Sequence, residues 1–146
     1  MSLRDGTAKM SKSDPSEMSR VNLTDSDDTI AQKIRKAKTD PEPLPDDPAG
    51  LEGRPEATNL VGIYGAVTGE SVEQVLARFA GQGFGAFKPA LADALITLLK
   101  PIRARLDELR TDTAELDRIL ADGAARARAL GAPTLAAAYA AVGLSH

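Results

Sequence analysis

Between Phe84 and Leu109 the apolar residues Phe87, Leu91, Leu95, Leu98, Ile102, Leu106 and Leu109 recur at intervals of 4, 4, 3, 4, 4 and 3. Only an α-helix gathers such positions on one face, and a face this long needs other helices to cover it. Pro89 suits the first turn of that helix. Pro101 lies inside the pattern, so a kink is expected there, with the Thr97 carbonyl freed. This one segment commits the chain to an all-α helical bundle.

The flanking sequence agrees. Asp25, Ser26, Asp27 and Asp28 supply a cap and negative charge for a helix starting near Thr24 or Asp25, and Lys33, Arg35, Lys36 and Lys38 suit its other pole. Ile30 and Ile34 are its only large apolar residues, so this helix is expected to be loosely held. Pro41, Pro43, Pro45, Pro48 and Pro55 exclude a helix interior over 40–55 and read as an extended acidic connector on the surface. Leu60, Ile63, Tyr64 and Val67 form the next stripe, stopped by Gly69. Ser71 caps a helix carrying Val72, Val75, Leu76 and Phe79, with Glu73 and Gln74 near the capping-box position. Thr111–Thr113 mark a turn. A helix through Leu116, Ile119, Leu120, Ala127 and Leu130 is expected to end at Gly131, and Pro133 to open a last one through Leu135, Ala138, Tyr139 and Val142. The expected bundle therefore has about five to six helices. Its parts are an arm over 1–22, a helix plus connector over 23–55, and a helical domain over 56–146.

Composition narrows the functional classes. Aromatics are only 3% of 146 residues, which favours helices over strands, and no Cys is present to form a disulfide or thiolate metal site. No metal site is expected. The single His, His146, is terminal and is given no chemical role. No apolar run is long enough to span a bilayer and the N-terminus lacks a signal-peptide core, so a cytoplasmic location without membrane association is expected. Charge is uneven. Residues 1–38 carry eight Lys/Arg and six Asp/Glu, residues 39–73 one and eight, and residues 74–146 nine and seven. Anionic partners are steered to the two ends.

The N-terminal end also carries Lys9-Met10-Ser11-Lys12-Ser13. Two ammonium groups, two hydroxyls and loop N–H groups make a cradle suited to a polyphosphate. Residues 1–22 show no apolar periodicity and read as a flexible arm presenting this loop.

Lys9 to Ser13 followed by Asp14-Pro15 resembles the KMSKS motif of class I aminoacyl-tRNA synthetases, in particular their tryptophanyl members. Asn22-Leu23-Thr24-Asp25-Ser26-Asp27-Asp28 running into Ile30 to Asp40 is similar to the same family. So are Arg54-Pro55-Glu56-Ala57-Thr58-Asn59-Leu60, Phe84-Gly85-Ala86-Phe87-Lys88, Pro101-Ile102-Arg103 and the closing Ala132 to Leu144. The resemblance covers the chain in order. It implies a C-terminal portion of a tryptophan–tRNA ligase, from the KMSKS loop onward. Lys9, Met10, Ser11, Lys12 and Ser13 would bind ATP, which carries Mg2+ in the full-length enzyme. Lys9 and Lys12 would be the catalytic cations, Lys12 above all for the leaving pyrophosphate. Ala8 departs from the extra Lys often found before the motif. The helices would form the anticodon-binding domain, with Arg103, Arg105, Arg110, Arg118, Arg126 and Arg128 as candidate contacts to the tRNA for tryptophan.

The resemblance also implies that the His-x-Gly-His motif, the tryptophan pocket, most of the Rossmann fold and most of a homodimer interface belong upstream of Met1. The isolated chain is then expected to be inactive. The alternative is a stand-alone, non-enzymatic helical RNA-binding or interaction module derived from that domain.

Overall fold

A computed structural model describes residues 1–144; the expectation for His146 lies outside the described residues. Those residues form five α-helices and two 3-10 turns, with no strand among them. The helices are α1 (Asp27–Arg35), α2 (Pro55–Thr68), α3 (Val72–Phe79), α4 (Phe84–Thr111) and α5 (Thr113–Ala141). The all-α architecture matches the periodicity. The chain divides into two compact units, Met1–Arg103 and a second from Ala104 onward.

The first unit holds the core. Ser26 caps α1 by accepting the Thr29 N–H, and Asp27 and Asp28 sit in its first turn. Ser71 and Gln74 close a reciprocal capping box at the start of α3, which leaves two fewer orphan N–H groups. α2 ends at Gly69, whose φ of 78° is left-handed and suits glycine. Pro55, expected in the connector, instead opens α2 at its first position, where no N–H is needed. Tyr64, Phe79, Phe84 and Phe87 gather in the centre. The Tyr64–Phe79 and Phe79–Phe87 rings meet edge to face at 5.3 and 5.0 Å.

Ile30 and Ile34 are fully buried beside Leu3 in the same core. The loosely held first helix is thus corrected. Its two isoleucines suffice because the N-terminal segment and α4 supply the rest of the lining. Lys88 of α4 also donates to the Ala37 and Arg35 carbonyls at 2.8 and 3.3 Å, capping the negative end of α1. Burial pushes the Lys88 ammonium pKa down.

The expected flexible arm is also anchored at its base. Leu3 is 2% exposed. Its N–H bonds to the Ser19 carbonyl, and its own carbonyl accepts the Lys38 N–H. The Met1 ammonium and the Ser2 carbonyl bond to Asn59. One buried leucine and four hydrogen bonds replace the amphipathic stripe that sequence periodicity looks for.

Gly6 fits against the start of α2. A Cβ there would lie 2.4 Å from the Pro55 carbonyl carbon and 2.6 Å from the Glu56 nitrogen, both backbone. Gly6→Ala is therefore expected to lower stability by about 1–3 kcal/mol, an overpacking cost with no flexible neighbour to yield. Urea denaturation checks this, and an unchanged midpoint would contradict the close approach.

The Pro-rich connector is clamped rather than draped. Leu44 is buried, and its backbone exchanges hydrogen bonds with Gly81 and Gln82. Arg54 grips Asp40 with two donors and also reaches the Glu42 and Pro43 carbonyls.

Within the first unit α4 buries Phe87, Leu91 and Leu95 as expected, but then Leu99 rather than Leu98. Leu98 and Ile102 are 44% and 45% exposed. The helix runs through Pro101 to Thr111. In the second unit Asp112 caps α5 through the Glu115 N–H. α5 is continuous across Gly131 and Pro133, correcting the expected break. The missing Pro133 N–H orphans only the carbonyl of exposed Ala129, which water can reach. No residue of α5 is buried. In its stripe Leu116 is half-buried and Ile119, Leu120 and Leu130 are exposed, because within this unit only the end of α4 accompanies it.

Candidate functional site

Lys9 to Ser13 lie on the surface of the first unit, and only Met10 is partly buried, packing against the core. The loop is built from short-range bonds. The Ser11 and Ser13 hydroxyls meet at 2.9 Å, the Ser13 N–H donates to Ser11 Oγ, and the Asp14 carboxylate accepts the Ser16 N–H at 2.7 Å. A 3-10 turn over Glu17–Ser19 follows. These turns fix backbone shape locally and leave the lysine side chains to solvent.

The sequence-predicted cations differ in what they face. Among the described residues Lys9 and Lys12 pair with no carboxylate, whereas most other cations do. Arg103 turns inward to the Asp25 carbonyl and the Asp27 carboxylate. Arg105 pairs with Glu108 and Glu115, Arg118 with Glu115, and Arg126 with Asp122. Arg110 and Arg128 are exposed and have no carboxylate partner among the described residues. The structure thus brings the five loop residues together and spreads the six arginines over two helices.

Sequence reading missed the support beneath the loop. Arg20 is nearly buried, and its guanidinium donates to the Ser11, Asp14 and Ser16 carbonyls and to Glu17. Lys33, 2% exposed, pairs with Asp25 at 2.5 Å. No local motif marks either residue. The only sequence signal is Glu17 three positions before Arg20, and Lys33 has no acid within four positions.

Three aspartates in this frame are held below the ordinary carboxylate range. Burial opposes ionisation of Asp25, but hydrogen bonds from Lys33 and Asn22 and the Lys33 charge outweigh it. For Asp27 the Arg103 hydrogen bond dominates. For Asp40 burial again opposes, and the Arg54 bond wins. Each folded pKa lies below the ordinary aspartate value of 3.8, so as pH falls through and below 3.8 the unfolded chain takes up protons first. Stability is therefore expected to be insensitive to these groups above about pH 5 and to drop steadily below that value. Urea midpoints at pH 6, 4 and 3 test it; a midpoint that holds to pH 3 would contradict the assignment.

Two clefts of the first unit, of about 700 and 590 Å3, lie elsewhere. One runs between α1 and the start of α4, the other along α2, and residues 9–13 line neither. Among the described residues no group of three His, Asp or Glu is placed to hold a metal ion, and no helix is long and apolar enough to cross a membrane.

Comparison with known proteins places these features. The family model for class I tRNA synthetases (W and Y) matches residues 1–100. The tryptophan–tRNA ligase of Rhizobium meliloti is 60% identical over 88% of this chain and 36% of its own length. That of Caulobacter vibrioides is 58% identical over 93% of this chain and 40% of its own. The crystal structure of tryptophanyl-tRNA synthetase from Mycoplasma pneumoniae superposes with a TM-score of 0.81 at 28% identity, over 100% of this chain and 45% of that one. The chain spans well under half the length of the curated relatives it matches. With a family model over its first 100 residues and ligase relatives near 60% identity, the chain belongs to the class I tRNA synthetases of the tryptophan and tyrosine group.

Proposed function

We propose that this chain is the C-terminal portion of a tryptophan–tRNA ligase, in which residues 9–13 hold the phosphates of ATP and the helices that follow engage the tRNA for tryptophan. The observation that carries this reading is the pair of exposed, unpaired lysines, Lys9 and Lys12, on a shaped loop in a chain otherwise rich in paired cations. In the reaction a tryptophan carboxylate oxygen attacks the α-phosphorus of ATP, the bond to the β-phosphate breaks, and pyrophosphate leaves with the displaced electron pair. Mg2+ bound with ATP neutralises part of the phosphate charge. Lys12 stabilises the charge that grows on the leaving pyrophosphate, and Lys9 holds the triphosphate in line. Ser11 and Ser13 shape the loop, and Met10 offers an apolar edge to the nucleoside. Tryptophan itself and the adenine are bound by the remainder of the ligase, which acts as a homodimer in the cytoplasm.

For tRNA, Arg110 and Arg128 are the arginines of the second unit left available to phosphate. Arg105, Arg118 and Arg126 first have to exchange a carboxylate, and Arg103 serves the fold. Titration with the tRNA for tryptophan and a mismatched tRNA at two salt concentrations separates a specific surface from a merely basic one.

The decisive experiment joins this chain to the N-terminal portion of the Rhizobium meliloti ligase and follows tryptophan-dependent ATP–pyrophosphate exchange. The joined protein is expected to turn over and the isolated chain to be silent. Turnover by the isolated chain would overturn the division of labour. A folded but inactive joined protein would favour the stand-alone binding module.

A further inference from the structure

We propose that Arg20 is the positioning residue of the phosphate loop: its guanidinium, buried under residues 11–16, sets the loop's backbone so that the cradle exists before a ligand arrives. This deepens the reading of residues 9–13 as a phosphate holder and rests on it.

The geometry is specific. One Arg20 nitrogen, Nη1, donates to three carbonyls, those of Asp14 at 3.0 Å and of Ser11 and Ser16 at 3.4 Å. The other, Nη2, donates to Glu17 Oε1. Glu17 Oε2 in turn accepts from the Asn22 amide at 3.1 Å and faces Lys33 at 3.9 Å. The planar fork is thus fixed from the side opposite the loop. Arg20 carries only 10% of its side-chain surface to solvent, whereas Glu17 carries 64%.

Pulling three carbonyls toward one cation has a consequence on the other side of the chain. No cis peptide bond occurs among the described residues. In a trans peptide the C=O and the following N–H point in opposite directions. Holding the Ser11 carbonyl toward Arg20 therefore turns the Lys12 N–H away from that guanidinium, in a residue that is itself exposed. That N–H has no partner among the described residues. A phosphate oxygen arriving there would meet a backbone donor already fixed in direction, on a loop that carries the exposed Lys9 and Lys12. Arg20 never touches the ligand. It removes the ordering cost that a free loop of Ser and Lys would impose on binding.

The test uses the isotope-labelled chain, with inorganic pyrophosphate as the probe. In the unaltered chain the amides of residues 9–13 are expected to shift saturably with pyrophosphate, and the order parameters of residues 11–16 to lie near 0.85, the rigid range. In Arg20→Ala those order parameters are expected to fall below about 0.6, and pyrophosphate affinity to weaken by about tenfold. The amides of Val61, Leu76 and Phe87 should stay in place, which separates loop release from unfolding. Arg20→Lys, which can still donate to the same carbonyls, is expected to recover part of the affinity. Wild-type affinity in Arg20→Ala, or an unchanged loop order, would overturn the role of Arg20 and leave the phosphate reading standing. Absence of any pyrophosphate response in the unaltered chain, with Lys12→Ala indistinguishable from it, would overturn the phosphate reading and this inference with it.

Discussion

Lys12→Ala in the ligase joined around this chain is expected to lower the rate constant of tryptophan-dependent ATP–pyrophosphate exchange by about 100- to 1000-fold, the range found when one preorganised donor to developing charge is removed. The loss is expected on kcat more than on the KM for tryptophan, because in the proposed reaction Lys12 faces the phosphates and its partner charge grows only as the bond to pyrophosphate breaks. The structure supports so large a dependence on one side chain. Lys12 is exposed and unpaired with any carboxylate among the described residues, so no internal ion pair has to be broken before it acts. Lys12→Arg is expected to recover only part of the rate, since a planar fork replaces a compact charge. Equal rates for Lys12→Ala and the unaltered protein, at saturating ATP, would remove Lys12 from the chemistry. A loss confined to the KM for ATP would make it a ground-state binder.

Local chemistry announced the helix starts and failed where long-range contacts decide. Ser26, Ser71 and Gly69 act within a few residues of their own positions, so their roles can be read directly from sequence. The seam of α4 was legible as far as Leu95. Beyond it, positions 98 and 99 are both leucine and both compatible with a 3.6 period, and the neighbours of the helix, not its own pattern, bury Leu99. Pro133 and Gly131 carry strong breaking tendencies, about 3 and 1 kcal/mol, yet α5 runs through them because its exposed backbone can be satisfied by water. Leu3 and Arg20 were illegible for a different reason. Each is a single residue without periodic companions, and its partners lie at Ser19 and Lys38 for the one and along 11–17 for the other. The proposed phosphate loop is the reverse case, since its five residues are consecutive in sequence and four of them are exposed.

Asp25→Asn is expected to destabilise the chain by about 3–5 kcal/mol, the cost of stranding a buried charge. Lys33 is 2% exposed and its ammonium lies 2.5 Å from Asp25 Oδ2, while the only other carboxylate near it among the described residues, Glu17, is 3.9 Å away and itself largely in solvent. Removing the Asp25 charge leaves Lys33 to deprotonate, swing out of the core or remain unpaired, and each course costs stability. The reciprocal change is milder. In Lys33→Met the unbranched side chain fills the same space, and Asp25 keeps the Asn22 N–H at 2.8 Å with an edge toward water. A loss below about 2 kcal/mol is expected, because an apolar replacement of similar volume spares the desolvation of a cation. The double variant Asp25→Asn with Lys33→Met should then be more stable than Asp25→Asn alone, a reversal that additivity forbids. Urea denaturation of the four proteins at pH 7 measures it. If the two single changes cost the same and add in the double variant, Lys33 finds its charge partner elsewhere and the pair is not what holds α1 beneath the loop. If the reversal appears, Asp25 is what holds Lys33 in place, the same cation that faces Glu17, a partner of Arg20.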